Sequence, residues 1–149
     1  MQIGIDLGAS KIESVLLDED GKEHFRGREK SPQNYNETLV SITKIVNNIE
    51  KKFSDKLKVG VGHPGSINIQ TGLLHNANNS PWMNNESFQK DISKKLDRNV
   101  YCENDANCFA LSEATDGFAN QHKVVFGVIL GSGCGGGLVI DKKIITGSN

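Results

Sequence analysis

Three stretches of this chain combine residue types that could do chemistry. The first is Asp6-Leu7-Gly8-Ala9-Ser10-Lys11, a carboxylate at the end of an apolar run followed by small residues, a hydroxyl and an ammonium. Turns of small residues let backbone N–H groups approach an anion. A carboxylate beside such a turn can hold a magnesium ion, or its waters, on a nucleotide phosphate. The second stretch is Gly131-Ser132-Gly133-Cys134-Gly135-Gly136-Gly137, another turn of bare backbone. The third is Glu103-Asn104-Asp105-Ala106-Asn107. There Asp105 could take the proton of an attacking hydroxyl while Asn104 orients the substrate.

Each has a plain structural alternative. Asp6 can bond locally within its own turn. Asp105 can serve as the N-cap of a helix, a role worth about 1 kcal/mol. A fourth region, His63-Pro64-Gly65-Ser66 with Asn76-Ala77-Asn78-Asn79-Ser80-Pro81-Trp82, is rich in amides that both donate and accept. That suits a polyhydroxylated ligand and equally suits ordinary turns. The run Gly131–Gly136 also matches the dinucleotide spacing G-x-G-x-x-G, but that motif needs a helix after its glycines. Here Leu138-Val139-Ile140 reads as strand, which excludes it. Cys134 reads as a small turn residue. The four histidines have no metal-ligand spacing.

The elements that must position these groups show an internal repeat. Aligned without a gap, Ile3–Gly8 falls on Phe126–Gly131 and Val15–Asp18 on Leu138–Asp141. Both copies read as strand, small-residue turn, strand, and two such turns suggest a clamp for a polyphosphate. Strands are expected at Gln2–Leu7, Ile12–Asp18 and Lys22–Arg28, then a helix at Asn36–Phe53 on Leu39, Ile42, Val46, Ile49 and Phe53. A strand at Leu57–Val61 leads into a long loop, His63 to about Asn85, of the kind that is usually functional. A helix at Ser87–Leu96, a strand at Val100–Glu103 and a helix at Asp105–Asp116 follow. Strands at Val124–Leu130 and Gly137–Ile140 then restart the pattern. Strands alternating with helices after a meander imply an α/β sheet. The expected division is residues 1–119 as one domain and 120–149 as the opening hairpin of a second, nucleotide-binding one, the chain being the front part of a longer protein.

At 149 residues the chain can bury a substantial core. A formal charge of −1 gives no electrostatic case for nucleic acid or a membrane surface. No apolar run is long enough to cross a bilayer. Three cysteines without CxxC spacing suit a reducing compartment, and the cytoplasm is the expected location.

In their order and spacing, Ile3–Lys11, Glu103–Asn107 and Val128–Gly137 resemble the ROK family of bacterial sugar kinases and repressors. Gly62–Ile67 and Asn76–Asn78 narrow the likeness to its fructokinase or manno-fructokinase branch. The resemblance implies an actin-like ATPase, ribonuclease-H-like fold: an α/β mixed sheet with helices on both faces. It implies ATP-dependent phosphorylation of the primary hydroxyl of a hexose, fructose first, giving fructose 6-phosphate. Asp105 would be the catalytic base, and Asn104 would hold sugar hydroxyls with Gly65 and Asn79 nearby. Asp6 would position Mg, Gly8, Ser10 and Lys11 would line the first phosphate turn, and Gly131, Ser132 and Gly133 the second.

The same likeness implies ATP and Mg as cofactors, no nucleic-acid or membrane partner, and a homodimer for the full-length protein. A structural zinc is expected only beyond Asn149, with the adenine pocket and the remaining sugar ligands. The chain departs from the family in Ala9-Ser10, where Gly-Thr is usual, and in Ser132 for Thr; both serines keep the hydroxyl. The alternative is a sugar-sensing ROK-type regulator lacking its DNA-binding module.

Overall fold

Strict alternation of apolar and small or polar residues sets the first sheet. In a computed structural model describing residues 1–53, 56–131 and 133–147, β1 (Gln2–Leu7), β2 (Lys11–Leu17) and β3 (Glu23–Lys30) form an antiparallel meander. After helix α1 (Tyr35–Phe53), β4 (Lys58–His63) joins β1 in parallel. After helix α2 (Phe88–Leu96), a later parallel strand, Val100–Asn104, joins β4. The sheet order is therefore β3-β2-β1-β4 and then this last strand.

Its two faces differ in kind. Ile3, Ile5 and Leu7 of β1, Ile12 and Leu16 of β2, and Val59 and Val61 of β4 point to one face and are buried. Against them lie Ile42, Val46 and Ile49 of α1 and Phe88, Ile92 and Leu96 of α2. Asn34 starts α1 by accepting from Glu37 N at 3.1 Å, one turn position earlier than the apolar stripe alone suggests. The opposite face carries the intervening residues, among them Gly4, Asp6, Glu13 and Gly62, which the strand register places side by side.

The long loop holds more structure than its sequence shows. Ser66–Ile67 (β5) and Leu74–His75 (β6) pair as a small hairpin. Its turn is held by the Asn68 side-chain amide, whose Oδ1 accepts from Gln70 N and Thr71 N, both at 2.9 Å. Leu74 then ties the hairpin down through Glu86 O and Asn85 N. Two-residue strands have no period to read, so the sequence gives only a loop here. The parallel strand Val100–Asn104, next in chain order, is β7.

Helix α3 (Asp105–Thr115) leaves β7 directly and lies between this sheet and a second one, β10-β9-β8. There β8 (Val124–Leu130) and β9 (Cys134–Ile140) form a hairpin, with β10 (Lys143–Ile144) beside β9. The contact with α3 is made of small residues. Ala110 and Ala114 pack with Val125 and Val139. A methyl on Gly127 would meet Ala110 Cβ at 2.8 Å, and one on Gly137 would meet Ala106 O at 2.5 Å. These glycines admit the helix to the sheet.

The repeat is real but not gapless. Leu7 pairs with Ile12, leaving four residues in the first turn, whereas Leu130 pairs with Cys134 and leaves three. The offset between copies is 123 in the first strand and 122 in the second. Val15 therefore corresponds to Gly137, not to Leu138. Phe126, Val128 and Leu130, the counterparts of Ile3, Ile5 and Leu7, point away from α3 and are exposed, Leu130 by 80%.

Candidate active site

Register places the candidate carboxylates. Asp6 ends β1 opposite Gly62 of β4 and Glu13 of β2, and Gly62 is in turn opposite Glu103 of β7. Glu13, Asp6 and Glu103 thus form a row across the sheet on the face that α3 covers at one end. Gly62 leaves room for α3: a methyl there would touch Cys108 Sγ at 3.6 Å and Asp105 Cα at 3.8 Å. Asp105, the first residue of α3, stands over the same row.

The structure caps α3 with Asn104 and not with Asp105, the cap the sequence suggests. With extended backbone at ψ 140°, Asn104 accepts through Oδ1 from Ala106 N at 3.0 Å and Asn107 N at 3.2 Å. Its Nδ2 donates to Gly65 O at 2.8 Å. Asp105 is thereby relieved of the capping role; among the described residues its Oδ1 accepts only from Ala106 N, at 2.8 Å. Glu103, which sequence reasoning did not single out, braces the same turn. Its Oε1 accepts from Asn104 N at 2.8 Å and Asn107 Nδ2 at 3.0 Å.

The charges in this row feel one another. Asp6 is open to solvent, yet surrounding protein desolvates its carboxyl, and the charges of Asp105 and Glu13 add to that, so its pKa is raised despite Lys11. The Cys108 thiol is pushed up to about 11 by burial and by Glu103, Asp105 and Asp6. It stays protonated and unreactive. His63, buried at the end of β4, sits edge-on to Phe88 with ring centroids 5.8 Å apart. Its Nδ1 donates to Pro64 O at 3.1 Å, and burial holds its pKa below the usual histidine value.

The first small-residue turn is closed by Gly8 N donating to Lys11 O at 2.9 Å. Gly8 therefore shapes the turn, and its own N–H is not free for an anion. Among the described residues the N–H groups of Ala9 and Ser10 have no partner, and these are the donors the turn can offer. Lys11 Nζ is bound to Glu13 Oε1 at 2.7 Å. The second turn repeats the closure, Gly131 N donating to Gly133 O at 2.9 Å. Ser132 lies outside the described residues.

Gly65 sits at φ +76°, and a side chain there would strike the backbone of His75 and Ala77. Only glycine fits. Asn79 lies beside the second turn: its Nδ2 is where a methyl on Gly133 would come within 3.0 Å. The loop between β4 and α2 thus approaches the second turn. The structure brings Asn104 and Gly65 into contact, and Asp6 and Asp105 into one electrostatic neighbourhood.

These residues fit a magnesium nucleotide by their donor set. Among the described residues no three His, Cys, Asp or Glu side chains could hold a metal by themselves. Magnesium does not require that, since it keeps waters and substrate phosphates and takes one or two carboxylates. Asp6, whose pKa is raised first by desolvation and then by the charges of Asp105 and Glu13, could be such a carboxylate. The partnerless Ala9 and Ser10 amides and the open space around Gly131 suit phosphate oxygens.

A model described as the ROK family matches residues 2–149. The chain is 42% identical over 150 residues to the N-acetyl-D-glucosamine kinase of Histophilus somni (strain 129Pt), covering all of this chain and 49% of that protein. A solved ROK family glucokinase from Streptomyces griseus, in complex with glucose and AMPPNP, matches with a TM-score of 0.86 at 25% identity, over 98% of this chain and 46% of the other. A ROK hexokinase from Thermus thermophilus matches with a TM-score of 0.84 at 23% identity, over 98% and 49%. The chain spans about half the length of the curated relatives it matches. No helix among the described residues is long and apolar enough to cross a membrane.

Proposed function

Because the chain belongs to the ROK family, we infer that the protein it forms part of is an ATP-dependent kinase for the primary hydroxyl of a hexose. The observation that carries this reading is the division of labour at the start of α3. Asn104 caps the helix, and Asp105 is left with a carboxylate over the Asp6 row. A base at that position accepts the hydroxyl proton as the sugar oxygen attacks the terminal phosphorus and the bond to ADP breaks.

The remaining roles are positional. Asn104 fixes the Gly65 carbonyl, and with it the turn that faces the sugar. The Ala9 and Ser10 amides, and the second turn at Gly131 and Gly133, hold phosphate oxygens. Lys11 contributes its charge from its place on Glu13. Magnesium, when bound, neutralises charge on the phosphates, and Asp6 is the residue that would hold it. Positioning and charge neutralisation supply most of the catalysis in phosphoryl transfer, so this sparse set is chemically sufficient.

For the sugar, the named relatives favour N-acetylglucosamine as the first candidate and leave the fructose of the sequence reading as the second. N-acetylglucosamine is an aldose carrying an acetamido group at C2, whereas fructose is a ketose whose anomeric carbon is C2 itself, and a site built to pair the acetamido group discriminates strongly. A coupled ADP-release assay on the full-length protein, with N-acetylglucosamine, fructose, mannose and glucose, tests the reading. Hexose-dependent ADP release is the expected result; none with any of the four refutes it.

A further inference from the structure

The first phosphate turn is braced from outside. Past the end of β3, Ser31 N donates to Ser10 O at 3.0 Å, and Gln33 Nε2 donates to Ala9 O at 3.0 Å. Pro32, between them, restricts the backbone and keeps the segment extended. Ser31 is buried, which anchors the segment to the body of the fold.

We propose that Gln33 is a positioning residue for the nucleotide phosphates, acting through the Ala9–Ser10 peptide. The peptide is planar and trans, so its C=O and N–H point in opposite directions. By drawing the Ala9 carbonyl to itself, Gln33 turns the Ser10 N–H the other way, towards the open side of the turn. The Ser10 carbonyl is likewise committed to Ser31 N. Both acceptors that could repel a phosphate oxygen are held back on one side, while a donor is presented on the other.

Chain geometry alone does not guarantee this. Neither Ala9 nor Ser10 is a glycine, neither has a positive φ, and the closing bond from Gly8 to Lys11 leaves the Ala9–Ser10 peptide free to rotate as a unit. An unbraced peptide would have to be ordered by the ligand itself, at a cost in affinity. Gln33 is the only side chain among the described residues that donates to either carbonyl. The inference rests on the reading of this turn as a phosphate site.

The test uses the full-length kinase and three variants. Gln33→Glu keeps the shape but ends the donation. Gln33→Ala removes the side chain. Gln33→Arg restores a donor of sufficient reach. The expected result is that Glu and Ala raise the KM for ATP by about three- to tenfold, the effect of one neutral hydrogen bond. The Arg variant returns it to within twofold of the parent. Hexose KM and thermal midpoint stay unchanged in all three, so a general loss of structure is distinguished from loss of the brace. An unchanged ATP KM in both Glu and Ala variants overturns the proposal while leaving the kinase reading intact. Equal rises in ATP and hexose KM overturn it as well. If the parent protein itself shows no hexose-dependent turnover, the kinase reading fails and the brace falls with it.

Discussion

The Asn104 carboxamide links the first turn of α3 to the carbonyl of Gly65, 2.8 Å from its Nδ2. One side chain therefore serves two purposes, with its oxygen closing the helix and its nitrogen holding the Gly65 turn. The two can be separated. Asn104→Asp keeps a capping oxygen but loses the donor to Gly65, whereas Asn104→Ala loses both. Thermal unfolding should drop by about 2–4 °C in the Ala variant, the effect of a lost cap near 1 kcal/mol, and much less in the Asp variant. Hexose KM in the full-length protein should rise in both. Equal melting temperatures for the two variants would show that the cap contributes nothing.

Asp105→Asn preserves the size of the side chain and removes its basicity. Turnover in the full-length protein should fall by about 10²–10⁴, the range associated with a positioned general base, while hexose affinity stays within a few-fold. Calorimetric titration of the variant with sugar, beside a steady-state assay, separates the two effects. Retained turnover removes Asp105 from the role of base.

Asp6 predicts a stability gained at the expense of activity. Its folded-state pKa lies above the ordinary value of 3.8, first through desolvation and then through Asp105 and Glu13. The folded state thus binds this proton more tightly than the unfolded state, so the ionised carboxylate costs stability as pH rises above 3.8 through the folded pKa. Asp6→Asn should raise the melting temperature of the metal-free protein at neutral pH, and that advantage should fade on acidification towards pH 3.8. ATP turnover should fall at the same time. A variant less stable than the parent at pH 7 would contradict the electrostatic account.

Gly137→Ala tests the seam between α3 and the second sheet. The added methyl would meet Ala106 O at 2.5 Å and Asn107 Cα at 2.8 Å. Both are backbone atoms and neither can swing aside. Overpacking of this kind typically costs about 1–3 kcal/mol, to be read from denaturant unfolding. Gly147→Ala, with nothing within 4 Å of the added carbon, serves as the control and should be neutral.

The first sheet was legible because its strands alternate cleanly: Ile3, Ile5 and Leu7 announce one buried face, and Gly4 and Asp6 the other. The site was legible in residue type more than in arrangement. Asn104 and Asp105 are both good caps, and only the backbone at ψ 140° decides which one is spent on the helix. The glycines of the second turn invited a single explanation, phosphate approach. Ala106, Ala110 and Ala114, spaced at every fourth residue, were the available sign that Gly127 and Gly137 also receive a helix. Turn length was not readable, since one residue more or less leaves both strands equally apolar. That slip decides which residues of β9 face α3.

The seam has a mechanical consequence. Where large side chains interlock, two layers can shift by small repacking of rotamers, and motion is absorbed near its origin. Here β9 meets the first turn of α3 backbone against backbone, with Ala106 O beside Gly137. No flexible cushion separates them. A tilt of the second sheet towards α3 would press directly on the backbone of Ala106, and Asp105 is its covalent neighbour, so the carboxylate stands one residue from the seam.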